Sequence, residues 1–277
     1  MDAGSPSAPL GLIAGNGRFP FLVAAAGRRA GRRVVAVAIK EEADPALAAE
    51  VDEIHWVSLG QLGRCIEALK GGGVREAVMA GQVKHRQIFS GIVPDLKMMG
   101  LLARLALKNT DSLIGAVADA LGREGIALLS STALLQDQMA TLGAMTRRRP
   151  SSDQQKDVEY GREVARALAG FDVGQTVVVK DRAAVAVEAM EGTDDAIRRA
   201  GRIAGAGCTV VKVAKPRQDT RFDVPVVGPG TVAAMREAGA STLAVQAGAT
   251  LLLDRTDLLA EADRADLAVW GFEPPAR

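Results

Sequence analysis

Short apolar runs alternate with amphipathic stretches through the first half of the chain. Residues 10–14, 34–39, 54–57 and 76–81 are mostly Leu, Ile, Val and Ala, which predicts strands buried on both faces. Between them, 19–30 and 61–69 keep helical spacing, and Gly71, Gly72 and Gly73 end the second of these. Thr110 and Asp111 precede Leu113, Ile114, Val117 and Leu121, a capped helix with one apolar stripe, and 126–129 returns as a strand. Strand–helix alternation of this kind predicts α/β architecture, with a Rossmann-like, mostly parallel sheet in an N-terminal domain.

The pattern then changes. Residues 146–155 are polar, basic and interrupted by Pro150, which predicts a domain crossing and two domains, 1–145 and 146–277. Beyond it, a helix is predicted over 155–168. Strands over 176–180 and 184–188 flank Asp181-Arg182-Ala183 as a hairpin. Thr193 reads as the N-cap of a helix with Asp194 and Asp195 in its first turn, and with Ala196, Ile197, Ala200, Ile203 and Ala204 as its inner stripe. Further strands are predicted at 208–213, 225–227, 241–245 and 251–253, so the C-terminal domain is mixed α/β. No fixed-period repeat is present.

Composition narrows the functional classes. The 277 residues hold 34 basic and 33 acidic side chains, a formal charge of +1, which removes the electrostatic case for general nucleic-acid binding. Aromatics are 3%, too few for a base-stacking groove, and 48% hydrophobic residues support a true core. Two cysteines, Cys65 and Cys208, cannot make a disulfide framework or a four-cysteine zinc site, and two histidines, His55 and His85, exclude a histidine-rich metal centre. No basic-plus-apolar leader and no run of roughly 18 apolar residues is present, so a soluble intracellular protein is expected, with contact at a membrane surface left open.

Three segments hold candidate chemistry. Gly11-Leu12-Ile13-Ala14-Gly15-Asn16-Gly17 joins a strand to a helix, where glycines let backbone amides approach a phosphate; a tight turn explains the same residues. Pro20 stands where a dinucleotide fingerprint needs a third glycine. Gly81-Gln82-Val83-Lys84-His85-Arg86 follows a strand on the edge where such sheets bind ligands, and the Ile-, Leu- and Met-rich residues 88–107 suit a greasy pocket or an ordinary core. In the second half, carboxylates cluster over Glu188-Ala189-Met190-Glu191-Gly192-Thr193-Asp194. Lys215 directly precedes Pro216, and Asp219, Arg221 and Asp223 fall between Pro216 and Pro225. Fully extended, Asp219 and Asp223 stand about 13 Å apart, so only a turned segment lets them share a cation. These residue types serve phosphoryl transfer, and they also make a solvated charged loop. No Gly-x-Ser-x-Gly elbow occurs, and both cysteines read as core thiols.

Taken together, these motifs resemble one enzyme family. The residues are 10–17, Ala80-Gly81-Gln82-Val83 and Asp111-Ser112-Leu113 in the first half. In the second they are Gly174-Gln175-Thr176-Val177-Val178-Val179, residues 186–194 and residues 215–225. The family is the UDP-2,3-diacylglucosamine pyrophosphatase of lipid A biosynthesis, in the form unrelated to metallophosphoesterases. The resemblance implies hydrolysis of UDP-2,3-diacylglucosamine to UMP and 2,3-diacylglucosamine 1-phosphate (lipid X), with Mg²⁺ or another divalent cation. It also implies a cytoplasmic protein at the inner-membrane surface, two domains enclosing the lipid, and a catalytic aspartate that is either Asp219 or Asp223. A homodimer is compatible with it, and no nucleic-acid partner is expected.

On this basis Asp219 and Asp223 are expected to hold the metal, with one of them or Glu188 orienting water. Lys215 and Arg221 are expected to stabilise phosphoryl charge. Gly15, Asn16, Gly17, Gly81, Gln82, Lys84, Thr110, Asp111, Gln175, Gly192, Thr193 and Asp194 are the expected substrate contacts. Closure about 147–152 accompanies this expectation. The competing readings are a non-catalytic nucleotide-sugar-binding module and an NAD(P)-dependent oxidoreductase.

Overall fold

The computed structural model describes residues 8–83, 94–103, 110–216 and 218–274. The chain forms two compact units, one of residues 1–135 with Thr220–Phe222, the other of 136–219 with 223–277.

In the first unit the apolar runs become β1 (Leu10–Ala14), β2 (Val34–Ile39), β3 (Glu53–Val57), β4 (Glu76–Ala80) and the short β5 (Ala127–Leu128). They form one sheet in the order β3-β2-β1-β4-β5, parallel throughout. This is the doubly wound arrangement expected from the sequence. The helices are α1 (Phe19–Arg29), α2 (Leu62–Gly71), α3 (Leu96–Leu102) and α4 (Thr110–Arg123). Leu69, Ile66, Leu121 and Ile126 pack on Val35, Val37 and Ala77 of the sheet. Continuous burial of Val34 to Ala38 explains why β2 lacks polar alternation.

The second unit contains β6 (Gly143–Ala144), α5 (Ser152–Gly170), β7 (Thr176–Lys180), β8 (Ala183–Val187), α6 (Thr193–Ala204) and β9 (Thr209–Lys212). It continues through β10 (Val226–Val227), α7 (Pro229–Ala238), β11 (Thr242–Gln246), β12 (Leu251–Leu252), α8 (Arg255–Arg264) and β13 (Ala268–Phe272). Six strands form a mixed sheet, β6-β13-β11-β9-β7-β8, in which β13, β11 and β9 run parallel and β7 and β8 antiparallel. β10 and β12 make a small parallel pair. Alternate residues of β7 face opposite layers: Val177 and Val179 meet Val158, Ala165 and Ala169 of α5, whereas Val178 meets Ile197 and Met235 of α6 and α7. Asp181 and Arg182 take φ of +52° and +60°, which turns the β7–β8 hairpin.

The unit boundary and one helix stripe differ from expectation. The chain changes units at Leu135/Gln136, ahead of the basic stretch. That stretch is pinned within the second unit. Val269 N donates to Thr146 Oγ1 at 2.8 Å, Arg147 N donates to Asp263 at 2.8 Å, and Arg148 pairs with Asp266 at 2.7 Å. Ser151 and Gln154 then close a capping box that starts α5. In α6, Ile203 is exposed rather than inward-facing.

Candidate active site

In the first unit the turn after β1 locks onto the residues after β4. Gly15 N donates to Ala80 O at 2.9 Å, Asn16 N to Gln82 O at 2.8 Å, and Gln82 N to Asn16 O at 3.1 Å. A Cβ on Gly15 would lie 2.6 Å from Gln82 O, and one on Gly81, whose φ is +94°, would lie 2.6 Å from Asn16 O. Glycine at 15 and 81 is therefore required by loop-to-loop approach. The amides of Gly15 and Asn16 are spent on this lock, so the phosphate cradle expected of them is not formed by those donors. The left-handed residue of the turn is Gly17, at φ +93° with open space beside it, and Asn16 is not in that region. Asn16 Nδ2 instead donates to the buried Glu42 at 3.3 Å.

Beside this lock, at the carboxyl ends of the strands, lies an apolar cavity of about 260 Å³. Ile13, Ile39, Val57 and Met79 line it from β1 to β4, with Met98 of α3 and Val117 of α4 completing the wall. Cys65 also lines it; burial, aided by Asp95, pushes its thiol pKa up to about 12, so it serves as core rather than nucleophile. Thr220 O accepts from Ser131 N at 2.8 Å, Arg221 O accepts from Ser131 Oγ at 2.8 Å, and the Arg221 guanidinium lies 5.9 Å from the Phe222 ring centroid. Lys84 and the side chains of Thr110 and Asp111 lie outside the described residues.

The second unit gathers charge at one edge of its sheet, where β9 ends, β8 ends and β7 begins. Lys212, the last residue of β9, is fully buried. Its Nζ donates to Thr193 Oγ1 at 2.8 Å and to Thr176 Oγ1 at 3.2 Å, and it stands 3.7 Å from Glu188 Oε2. Thr193 Oγ1 in turn donates to Glu188 Oε1 at 2.8 Å. Burial pulls the Lys212 pKa down, while Glu188, Asp194 and Asp223 push it back up. Glu188 Oε2, Gln175 Oε1 and Gln218 Nε2 are buried with no hydrogen-bond partner.

The helix cap differs from expectation for a physical reason. Gly192, at φ +84°, is the N-cap, which frees the Thr193 hydroxyl for Lys212 and Glu188. Asp194 accepts from Thr231 Oγ1 at 2.9 Å, and a Cβ on Gly230 would lie 2.8 Å from its Oδ2. It thus sits in the first turn of α6 and against the first turn of α7, where two helix dipoles favour its charge.

Asp223 N donates to Asp219 O at 2.9 Å, so these aspartates stand one helical turn apart along the chain, not in the extended arrangement. Lys215 Nζ pairs with Asp223 at 3.1 Å and with Asp172 at 2.7 Å, and Lys215 N donates to Gln218 Oε1 at 2.8 Å. Among the described residues no group of three or more His, Cys, Asp or Glu side chains is placed to hold a metal.

The comparisons decide the family. The N-terminal domain described as LpxI matches residues 9–138, and the LpxI C-terminal domain matches 141–270. The chain belongs to the LpxI family. It is 32% identical to the UDP-2,3-diacylglucosamine pyrophosphatase LpxI of Caulobacter vibrioides, over 97% of this chain and 99% of that one. Among solved structures, the biotin carboxylase domain of Hydrogenobacter thermophilus 2-oxoglutarate carboxylase aligns with 64% of this chain, 35% of its own, 14% identity and a TM-score of 0.26. That likeness bears on neither fold nor ligand.

Of the residues expected in the LpxI site from sequence, the second unit brings Glu188 and Thr193 together through Lys212, and Asp223 together with Lys215. Lys212, Thr176, Asp172 and Gln218 were not singled out. Lys212 ends an apolar run and reads as a strand terminus, and Asp172 follows a helix by two residues. Their partners lie far away in sequence.

Proposed function

We propose that this LpxI-family chain is a hydrolase that cleaves the diphosphate of UDP-2,3-diacylglucosamine, giving UMP and 2,3-diacylglucosamine 1-phosphate in lipid A biosynthesis. The observation that carries the reading is the meeting of three carboxylates, Glu188, Asp194 and Asp223, with two lysines, Lys212 and Lys215, at the edge of the second sheet. Hydrolysis forms a bond from water oxygen to phosphorus and breaks the bridging P–O bond, whose electrons leave with the departing phosphate. The water proton needs an acceptor, and Glu188 Oε2, which has no hydrogen-bond partner and lies 3.7 Å from Lys212, would supply one. Lys215 shares its charge between Asp223 and the diphosphate. Asp219 and Asp223 would hold Mg²⁺, which when bound offsets phosphoryl charge.

The acyl part is read from the first unit. The apolar cavity beside the Gly15–Gly81 lock accepts an acyl chain, as a pocket lined by Ile, Val, Met and Leu side chains would. We further infer action at the cytoplasmic face of the inner membrane. Among the described residues no helix is long and apolar enough to cross a membrane, and α3 exposes Leu96 and Met99 at 86% and 53%. Incubation of the purified protein with UDP-2,3-diacylglucosamine, with and without chelator, tests the reading. UMP and the acylated sugar phosphate should appear and should stop with chelator; sedimentation with vesicles tests the membrane arm. Intact substrate after prolonged incubation with Mg²⁺ would refute the assignment.

A further inference from the structure

Lys212 has no role in the mechanism above, yet its surroundings are built with unusual care. A fully buried ammonium is expensive unless its donors are used, and here two go to threonine hydroxyls. Thr193 accepts from Lys212, so its single proton is left for Glu188 Oε1, and the relay runs in one direction. The backbone repeats the tie, because Lys212 pairs with Thr176 across the ladder and Glu188 N donates to Thr176 O at 2.9 Å. A purely structural ion pair would also satisfy the second carboxylate oxygen. Glu188 Oε2 instead stays without a hydrogen-bond partner, with Lys212 Nζ at 3.7 Å, outside bonding reach.

We propose that Lys212 is a positioning residue for the hydrolysis, holding Glu188 through the Thr193 hydroxyl so that Oε2 faces the attacking water. The groups facing Lys212 are Glu188 after β8, Asp194 in α6 and Asp223 beyond β9. The threonine relay sets which Glu188 oxygen is left without a hydrogen bond. The inference rests on the diphosphatase reading.

The test is a kinetic cycle on the full chain with UDP-2,3-diacylglucosamine. Lys212→Met should lower kcat by about 100-fold with KM within about threefold, the loss expected when a general base is misplaced. In a Glu188→Gln background the same change should cost less than about threefold, because a residue acting through Glu188 has nothing left to position. Thr193→Val should lower kcat about tenfold, while Thr193→Ser keeps the hydroxyl and restores it. Should Lys212→Met fail to fold, the Thr193→Val and Glu188→Gln pair supplies the same cycle. Full additivity in the cycle would overturn the proposal, as would a Lys212→Met protein whose folded fraction turns over at the wild-type rate. Wild-type protein that releases no UMP would instead refute the diphosphatase reading, which separates the two failures.

Discussion

Gly174→Ala is the sharpest probe of how closely the fold holds Glu188. A Cβ on Gly174 would lie 2.1 Å from Glu188 O and 2.7 Å from its carbonyl carbon. Both are backbone atoms, so no side chain can swing aside. The segment leading into β7 and the residue after β8 would have to part by about 1.3 Å before contact becomes ordinary, and forced overpacking of this kind costs about 1–3 kcal/mol. At about 2–4 °C per kcal/mol for a protein near this size, Tm should fall by several degrees. The shift moves Glu188 itself, and a misplacement of about 1 Å at a reacting group costs about 100-fold in rate. Urea denaturation followed by circular dichroism gives the stability, and initial UMP release at 25 °C gives the rate. Gly170→Ala is the control, since Gly170 ends α5 with open space where its Cβ would go. It should leave activity unchanged. A Gly174→Ala protein with wild-type stability and kcat would refute the reasoning.

Three further outcomes follow from the geometry. Val117→Phe fills part of the apolar cavity and should raise KM for the diacylated substrate about tenfold while kcat holds, the cost of excluding a few methylenes; an unchanged KM would place the acyl chains elsewhere. Cys65, with its thiol pKa at about 12, should resist aromatic disulfide reagents at pH 8 in the folded protein and react on unfolding, so rapid labelling of native protein would contradict its burial. Hydrogen bonds from Lys97 and then Lys70 hold the Glu124 carboxyl down at about 2, against an ordinary 4.5. These links should be whole above pH 4.5 and lost as pH falls toward 2. Lys97→Ala should raise the Glu124 titration midpoint seen by NMR, and an unmoved midpoint would contradict the pairing.

Both sheets were legible because their strands are buried on two faces and therefore read as unbroken apolar runs. Val34 to Ala38 and Val177 to Val179 are examples. The hairpin at Asp181 and Arg182 was legible for a local reason, the turn chemistry of its residues. Features set by distant partners were not. The basic stretch after Thr146 looks like a linker until Asp263 and Asp266, more than a hundred residues on, take its donors. Thr193 looks like a cap until Gly192 takes that place and Lys212, nineteen residues later, claims the hydroxyl. At the candidate site Glu188, Lys215 and Asp223 stand out as charged residues clustered along the chain, whereas Lys212 needed the register that sets β7 beside β9. Gly15 reads equally as a phosphate approach or a tight turn, because nothing local shows its amide committed to Ala80.

The most direct measurement is UMP release from UDP-2,3-diacylglucosamine by the wild-type protein and by Asp223→Ala, with UMP binding followed by calorimetry on both. The account predicts steady turnover for the wild type and a loss of at least about a thousandfold for the variant, with UMP affinity retained, as expected when charge stabilisation at the reacting group is removed. Turnover by Asp223→Ala close to wild type would contradict it.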